Sequence, residues 1–147
     1  MSPDTIQRLD RLFAAIPVLV AGGPVAPFEV DAAEQRLGAE FSDDFREFVQ
    51  RYGGAIVGSQ PVFGLRKAEV MGEDTYSVVD VTERYRTDGW KPVTAWIVVS
   101  MDLAGNPIGI TSTGEVWLSD HDAGKVVMIA PTFEVFLLQL LDAASNP

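Results

Sequence analysis

The alternation of apolar runs and turn residues is clearest between Val93 and Asp122. Three runs in this stretch are rich in β-branched and aromatic residues, a composition typical of strands. They are Trp96 to Val99, Pro107 to Thr111 and Glu115 to Leu118. Glycines at positions 105 and 114 lie between the runs, and such glycines supply the positive φ that tight hairpin turns require. The pattern predicts a central antiparallel β-meander.

Helical spacing dominates the N-terminal third of the chain. Ser2, followed by a proline, is typical of a helix start, and the apolar residues after it recur at helical spacing. A second helix is expected to be capped by Asp31 and to end at Gly38. A third is expected between Ser42 and Gly53, and its aromatic stripe is typical of core packing.

The remaining segments complete the predicted fold. Val62 to Leu65 predicts a short strand, and Asp74 is expected to cap a helix. Lys125 to Ala130 predicts another strand, and Thr132 is expected to cap a final helix with one apolar side. These elements predict a single α+β domain over residues 1–147. It has N-terminal helices, a central antiparallel β-meander and a C-terminal helix packed on the sheet.

Composition and charge narrow the class of protein. Apolar residues make up 47% of the chain and charged residues 22%, as in ordinary globular proteins. The absence of cysteine excludes disulfides and thiolate metal sites, and it fits a reducing cytosol. No signal peptide or membrane span is visible, so we expect a cytoplasmic protein. The net charge of −10 argues against nucleic acid and favours a basic protein partner.

His121 is the only histidine, and it lies between Asp120 and Asp122. A metal site is one interpretation, and a hydrolytic centre with Ser100 or Ser119 is another. Catalytic zinc usually has three protein ligands, which a single histidine with no H-E-x-x-H spacing does not provide. We therefore favour a structural turn, and we predict no catalytic residue, metal ligand or cofactor.

Four carboxylates accompany the meander, and they are Asp102, Glu115, Asp120 and Asp122. Paired carboxylates can act as acid and base when burial raises the pKa of one of them, but polar turns offer little burial. We expect these side chains to be solvated. They form the predicted acidic surface for a partner protein.

Several motifs follow one another in an order that resembles the SUKH superfamily, which includes bacterial immunity proteins and fungal SMI/KNR-type regulators of cell-wall synthesis. A short helix ending in leucine-glycine precedes an amphipathic helix that closes on tyrosine-glycine-glycine, and glycine turns, a strand tryptophan and a helix-starting phenylalanine come later. The matching residues are Leu37, Gly38, Phe45, Phe48, Tyr52, Gly53, Gly54, Gly105, Gly114, Trp117 and Phe133. The resemblance is strongest over residues 28–141.

The resemblance implies a non-enzymatic interaction protein. Its most concrete form is an immunity protein that binds and neutralises a cognate secreted toxin, for example a basic nuclease. One alternative is a regulatory scaffold that recruits endogenous partners, as the fungal relatives do. The other is a metal-dependent hydrolase built around His121.

Overall fold

The computed structural model describes residues 1–145, which form five α-helices and six β-strands. The helices are α1 (Pro3–Ala15), α2 (Pro27–Leu37), α3 (Asp43–Tyr52), α4 (Val78–Thr87) and α5 (Phe133–Ser145). The strands are β1 (Ala55–Val57), β2 (Gln60–Val62), β3 (Ile97–Met101), β4 (Pro107–Ile110), β5 (Val116–Asp120) and β6 (Lys125–Ala130). Short 3₁₀ turns cover Pro17–Leu19 and Lys91–Ala95.

All six strands form one sheet in the order β1-β2-β3-β4-β5-β6, and every neighbouring pair is antiparallel. The predicted α+β architecture with a central meander is therefore confirmed. Strands β3, β4 and β5 are the three predicted runs, and β6 has the predicted limits. Strand β1 was not predicted, because three residues are too few to show an alternating pattern.

Most of the predicted helix ends follow from capping. The Ser2 hydroxyl accepts a hydrogen bond from the Thr5 N–H at 3.3 Å, and the Thr132 hydroxyl accepts one from the Val135 N–H at 3.2 Å. Helix α3 ends at Gly53, whose φ of 77° lies in the left-handed region that glycine tolerates. These starts and stops are local, so the sequence shows them directly.

Two predicted helix starts are wrong. Helix α2 begins at Pro27, four residues before Asp31, because the Glu29 side chain accepts a hydrogen bond from the Ala26 N–H at 2.9 Å. Helix α4 begins after Ser77, whose hydroxyl accepts from the Asp80 N–H at 3.4 Å, so Asp74 is not its cap. In both places another residue supplies the hydrogen bond that an aspartate cap would have made.

The predicted strand from Val62 to Leu65 is also shifted, because β2 ends at Val62. The chain leaves the sheet at Gly64, which packs against the backbone of Gly53. The Gly53 carbonyl accepts hydrogen bonds from the Leu65 N–H at 2.8 Å and the Arg66 N–H at 2.9 Å. The end of α3 therefore fixes where β2 stops.

The core lies between the helices and the sheet. Fully buried Phe45 and Phe48 on α3 pack edge-on against Phe133 on α5, with ring centroids 5.0 and 5.6 Å apart. Buried Thr82 on α4 accepts a hydrogen bond from the Val98 N–H of β3 at 2.9 Å. The aromatic stripe of α3 is thus core packing. Among residues 1–145, no helix is both long and apolar enough to cross a membrane.

Candidate functional site

Three of the four predicted acidic residues lie at the same end of the sheet. Asp102 begins the turn between β3 and β4, and Asp120 and Asp122 flank His121 at the turn between β5 and β6. These turns contact each other, since the His121 N–H donates to the side-chain oxygen of Asn106 at 3.1 Å. We call Asp102, Asp120 and Asp122 the acidic end.

Glu115 lies at the opposite end of the sheet, in the turn between β4 and β5. There the register pairs Ile110 with Val116. The Glu115 carboxylate accepts hydrogen bonds from the Thr113 hydroxyl and the Trp117 indole N–H, both at 3.3 Å. A strand rises about 3.3 Å per residue, so the five steps from Glu115 to Asp120 span roughly 16 Å. Glu115 does not share a surface patch with the acidic end.

The Asp102 carboxylate holds its own turn. It accepts hydrogen bonds from the Ala104 N–H at 3.0 Å, the Asn106 N–H at 2.8 Å and the Asn106 side-chain amide at 3.0 Å. At the tip of this turn, Leu103 is 83% exposed. The turn thus presents a large apolar side chain on a fixed base.

The Asp120 carboxylate has a similar structural role, because it accepts a hydrogen bond from the Ala123 N–H at 3.0 Å. The side chain of Asp122 is exposed, and no hydrogen bond or ion pair joins it to the rest of residues 1–145. Asp122 is consequently the carboxylate of the acidic end that is most available to another molecule.

An aromatic cluster joins the acidic end to α4. The ring of Trp90 lies 5.3 Å from those of both Tyr85 and His121. The Tyr85 hydroxyl donates to the Gly105 carbonyl at 2.6 Å. Burial, followed by the nearby Asp102 carboxylate, raises the pKa of Tyr85, so this hydroxyl stays protonated as a donor. The cluster fixes both turns relative to the helix.

His121 lines a groove of about 300 Å³ between the segment 88–92 and the β5–β6 hairpin. Buried Ser119 lines the same groove, whereas the buried Ser100 hydroxyl donates to the Pro61 carbonyl at 2.6 Å. No hydrogen bond within residues 1–145 joins the His121 imidazole to a serine. Nor do three histidine, cysteine, aspartate or glutamate side chains of that range form a group that could hold a metal ion. Residues 1–145 therefore do not bring together a hydrolytic triad or a group of metal ligands.

Sequence reasoning missed a larger groove of about 800 Å³, between the C-terminal half of α2 and residues 94–97 and 110–112. Arg86 lines it and donates to the carbonyls of Leu37 at 2.8 Å and Trp96 at 2.9 Å. Burial lowers the pKa of this guanidinium. The carbonyls it joins come from distant parts of the chain, so no local pattern marks Arg86 as a link between α2, α4 and the residue that precedes β3.

The residues that carry the family resemblance occupy turns and the core. Gly38, Gly53, Gly105 and Gly114 all have positive φ, and Leu37, Phe45, Phe48, Tyr52 and Phe133 are buried. Gly54 has a φ of 151°, and a Cβ there would lie 2.7 Å from the Arg66 carbonyl oxygen. Trp117 is half-buried on β5. These positions shape the core and the turns, and among them Gly105 belongs to the β3–β4 turn of the acidic end.

The fold and the exposed turns define a small α+β domain whose sheet carries carboxylates at one end. The chain belongs to the SMI1 / KNR4 family (SUKH-1), because the model of that family matches residues 24–139. The superfamily resemblance found in the sequence is thereby confirmed. This family is known for immunity proteins and is generally non-catalytic. A search of curated proteins finds no significant match.

Proposed function

We propose that this protein is an immunity protein, which binds a cognate secreted toxin of basic character and neutralises it by occupying its surface. The observation that carries the proposal is membership of the SMI1 / KNR4 family, since that family is known for immunity proteins. The net charge of −10 supports a basic partner. Such a function involves no covalent step.

The acidic end supports the mechanism. Leu103 projects from its turn as an exposed apolar anchor, and Asp122 and Asp120 lie on the neighbouring turn. Binding energy concentrates at apolar or aromatic anchors, and surrounding charges mainly steer the encounter and raise the association rate. We therefore place the first contact with the toxin at this end of the sheet.

Co-expression tests the function itself. A candidate toxin domain, such as one that an adjacent reading frame encodes, is expressed in a host, with and without this protein. The proposal expects growth to be restored by the protein and a stable complex to be recovered. Continued toxicity in the presence of folded, soluble protein would contradict the immunity role and favour the regulatory scaffold.

Association kinetics test the steering. Asp122→Asn removes one exposed charge of the acidic end, and Glu115→Gln removes one charge at the opposite end as a matched control. At low salt we expect Asp122→Asn to slow association with the toxin domain about threefold, with a smaller effect at high salt, because salt screens the charges. Equal rates for the two variants would contradict the placement at the acidic end.

A further inference from the structure

Strand β6 is an open edge of the sheet. It pairs with β5 on one side, and no other strand within residues 1–145 pairs with its second side. Residues 125–128 are all exposed, with Val126 at 43%, Val127 at 40% and Met128 at 48%. Further along, the Gln139 side chain donates to the Ile129 carbonyl at 2.9 Å and closes that end of the edge.

The hydrogen-bond pattern between β4 and β5 shows which residues of β6 point their backbone N–H and C=O groups away from the sheet. The Thr111 N–H donates to the Glu115 carbonyl at 3.0 Å, which makes this a hydrogen-bonded pair between β4 and β5. Because hydrogen-bonded and non-hydrogen-bonded pairs alternate in antiparallel strands, Leu118 directs its backbone towards β6. Its partner there is Val127, so the N–H and C=O groups of Val126 and Met128 point away from the sheet.

This edge has the composition of an inner strand. Val126, Val127 and Met128 are consecutive apolar residues, whereas natural edge strands are usually protected by charges, prolines or bulges. Lys125 and Pro131 stand only at its ends, and the irregular register of the β5–β6 pair falls at Ile129, beyond residues 125–128. The unprotected part is four residues long, about 13 Å of strand, and its outward-pointing groups are those of Val126 and Met128. It has room for about four residues of an added strand.

A second copy of this chain is a poor occupant. Two bodies that each carry a net charge of −10 repel one another. A single pair of short strands also buries far less than the roughly 1,000 Å² of a specific interface. A basic protein would be attracted to this edge, because the turn that leads into β6 carries Asp120 and the exposed Asp122.

We propose that β6 is a docking edge to which an extended segment of a positively charged partner protein adds as a seventh strand. Main-chain hydrogen bonds to Val126 and Met128 hold the segment, as in other cases of strand addition. The residue opposite Val126 directs its side chain to the face of Val126, beside the groove that Trp90 and His121 also line. That groove selects one side chain of the segment. The inference rests on the proposed function only for identifying the partner as the toxin.

A peptide library tests the edge without the toxin. Random 12-residue peptides are displayed and selected on the wild-type protein, and the enriched peptides are measured against two variants. Val126→Pro removes an outward N–H and leaves the ladder with β5 intact, whereas Phe28→Lys replaces an apolar residue that is 73% exposed on α2. Circular dichroism and unfolding confirm that both variants fold. Met128→Lys, which keeps every N–H and adds a repelling charge, serves if Val126→Pro does not fold.

We expect the selection to enrich peptides that contain lysine and arginine. Binding of these peptides should slow hydrogen exchange at the amides of Val126 and Met128. Val126→Pro should bind them about fivefold more weakly, the factor that the loss of about one net hydrogen bond produces, and Met128→Lys should bind them more weakly because its added charge repels them. Phe28→Lys should bind within about twofold of the wild type. Equal binding by all variants, or no peptide that slows exchange in β6, would overturn the docking edge. If the wild type forms a dimer and Val126→Pro is a monomer, a second copy of the chain binds at β6, and the proposal of a basic partner is overturned too.

The toxin domain separates the two proposals. If the wild type neutralises the toxin and Val126→Pro does so with unchanged affinity, the immunity role stands and the docking edge falls. If peptides bind at β6 and the toxin is not bound, the docking edge stands and the immunity role falls. If Val126→Pro loses both peptide and toxin binding and Phe28→Lys keeps both, the result supports the two proposals together.

Discussion

At one edge of the sheet Val20 forms a bridge with Ala55, and the Ala21 N–H donates to the Gly54 carbonyl at 2.9 Å. Ala55 and Val57 on β1 are fully buried. At the other edge, residues 125–128 of β6 are exposed, and the Gln139 side chain covers the carbonyl of Ile129, next to buried Ala130. Both edge strands are mainly apolar, yet they lie in opposite environments.

The difference shows that the cover of an edge strand comes from distant parts of the chain. The connector after α1 supplies Val20, and the C-terminal part of α5 passes Gly58, whose Cβ would lie 3.0 Å from the Leu140 carbonyl oxygen. On β6, the Gln139 side chain of α5 reaches the Ile129 carbonyl, and no hydrogen bond from an α5 side chain within residues 1–145 reaches residues 125–128. Stability should accordingly depend on the β1 edge, and the β6 edge is free to bind.

The largest expected effect is that of Gly64→Ala, close to the β1 edge. A Cβ at Gly64 would lie 2.0 Å from the Gly53 carbonyl oxygen, and neither backbone can move without breaking the hydrogen bonds that end α3. We expect a loss of about 3 kcal/mol or more in the free energy of unfolding, measured by urea denaturation. The control is Gly124→Ala next to β6. Its Cβ would have no neighbour within 4 Å, and its φ of 62° alone should cost about 1 kcal/mol.

A valine on each edge gives the next largest contrast. Val57→Ala removes two buried methyl groups and should lower the free energy of unfolding by about 2 kcal/mol. Val127→Ala shortens a side chain that is already 40% exposed, and it should cost about 0.5 kcal/mol. Denaturation of both variants under the same conditions measures the difference. Equal losses would mean that β6 is as well packed as β1.

Tyr52→Phe tests how α1 is held beside the β1 edge. The Tyr52 hydroxyl donates to the Asp10 carboxylate at 2.7 Å, and its ring contacts Phe13, with centroids 5.2 Å apart. Phenylalanine keeps the ring contact, so the loss of the hydrogen bond should cost about 1 kcal/mol at pH 7. Tyr76→Phe is the control, since the Tyr76 hydroxyl has no hydrogen bond to residues 1–145 and its loss should cost little.

Tyr52→Phe should also change how the free energy of unfolding depends on pH above about pH 9. Burial, followed by the hydrogen bond to Asp10, raises the pKa of Tyr52 in the folded state. Because the pKa of Tyr52 is higher in the folded than in the unfolded state, its protonated hydroxyl stabilises the fold. This stabilisation is fully present below the unfolded-state pKa of about 10 and is lost as the pH rises towards the folded-state pKa. Between pH 9 and 11, the wild type should thus lose more stability than Tyr52→Phe. Parallel curves would contradict the raised pKa.

Local patterns were enough to predict much of the fold. Ser2 and Thr132 cap helices as expected, and Lys125 to Ala130 is a strand with the predicted limits. The predictions at Asp31 and Asp74 failed because a nearby side chain makes the capping bond in each case. A cap is therefore predictable only where one candidate stands alone.

The candidate site was predictable only in part. The sequence identified Asp102, Asp120 and Asp122 as exposed turn carboxylates, but it also grouped Glu115 with them. Whether two turns lie at the same end depends on how many strands separate them, and Glu115 is one strand away from Asp120. No sequence pattern indicated that the outer side of β6 is unpaired, because a run such as residues 126–128 has the composition of a buried strand.

The smallest expected effect on stability is that of Val126→Lys. Its outward backbone and 43% exposed side chain leave room for a lysine to extend into water, so we expect the free energy of unfolding to change by no more than about 0.5 kcal/mol. The same change at fully buried Val57 would place an unpaired charge in the core and prevent folding at the β1 edge. Denaturation measures the first, and the yield of soluble, cooperatively unfolding protein measures the second. A loss above about 2 kcal/mol for Val126→Lys would mean that something covers β6, and both its open state and its availability to a partner would then have to be abandoned.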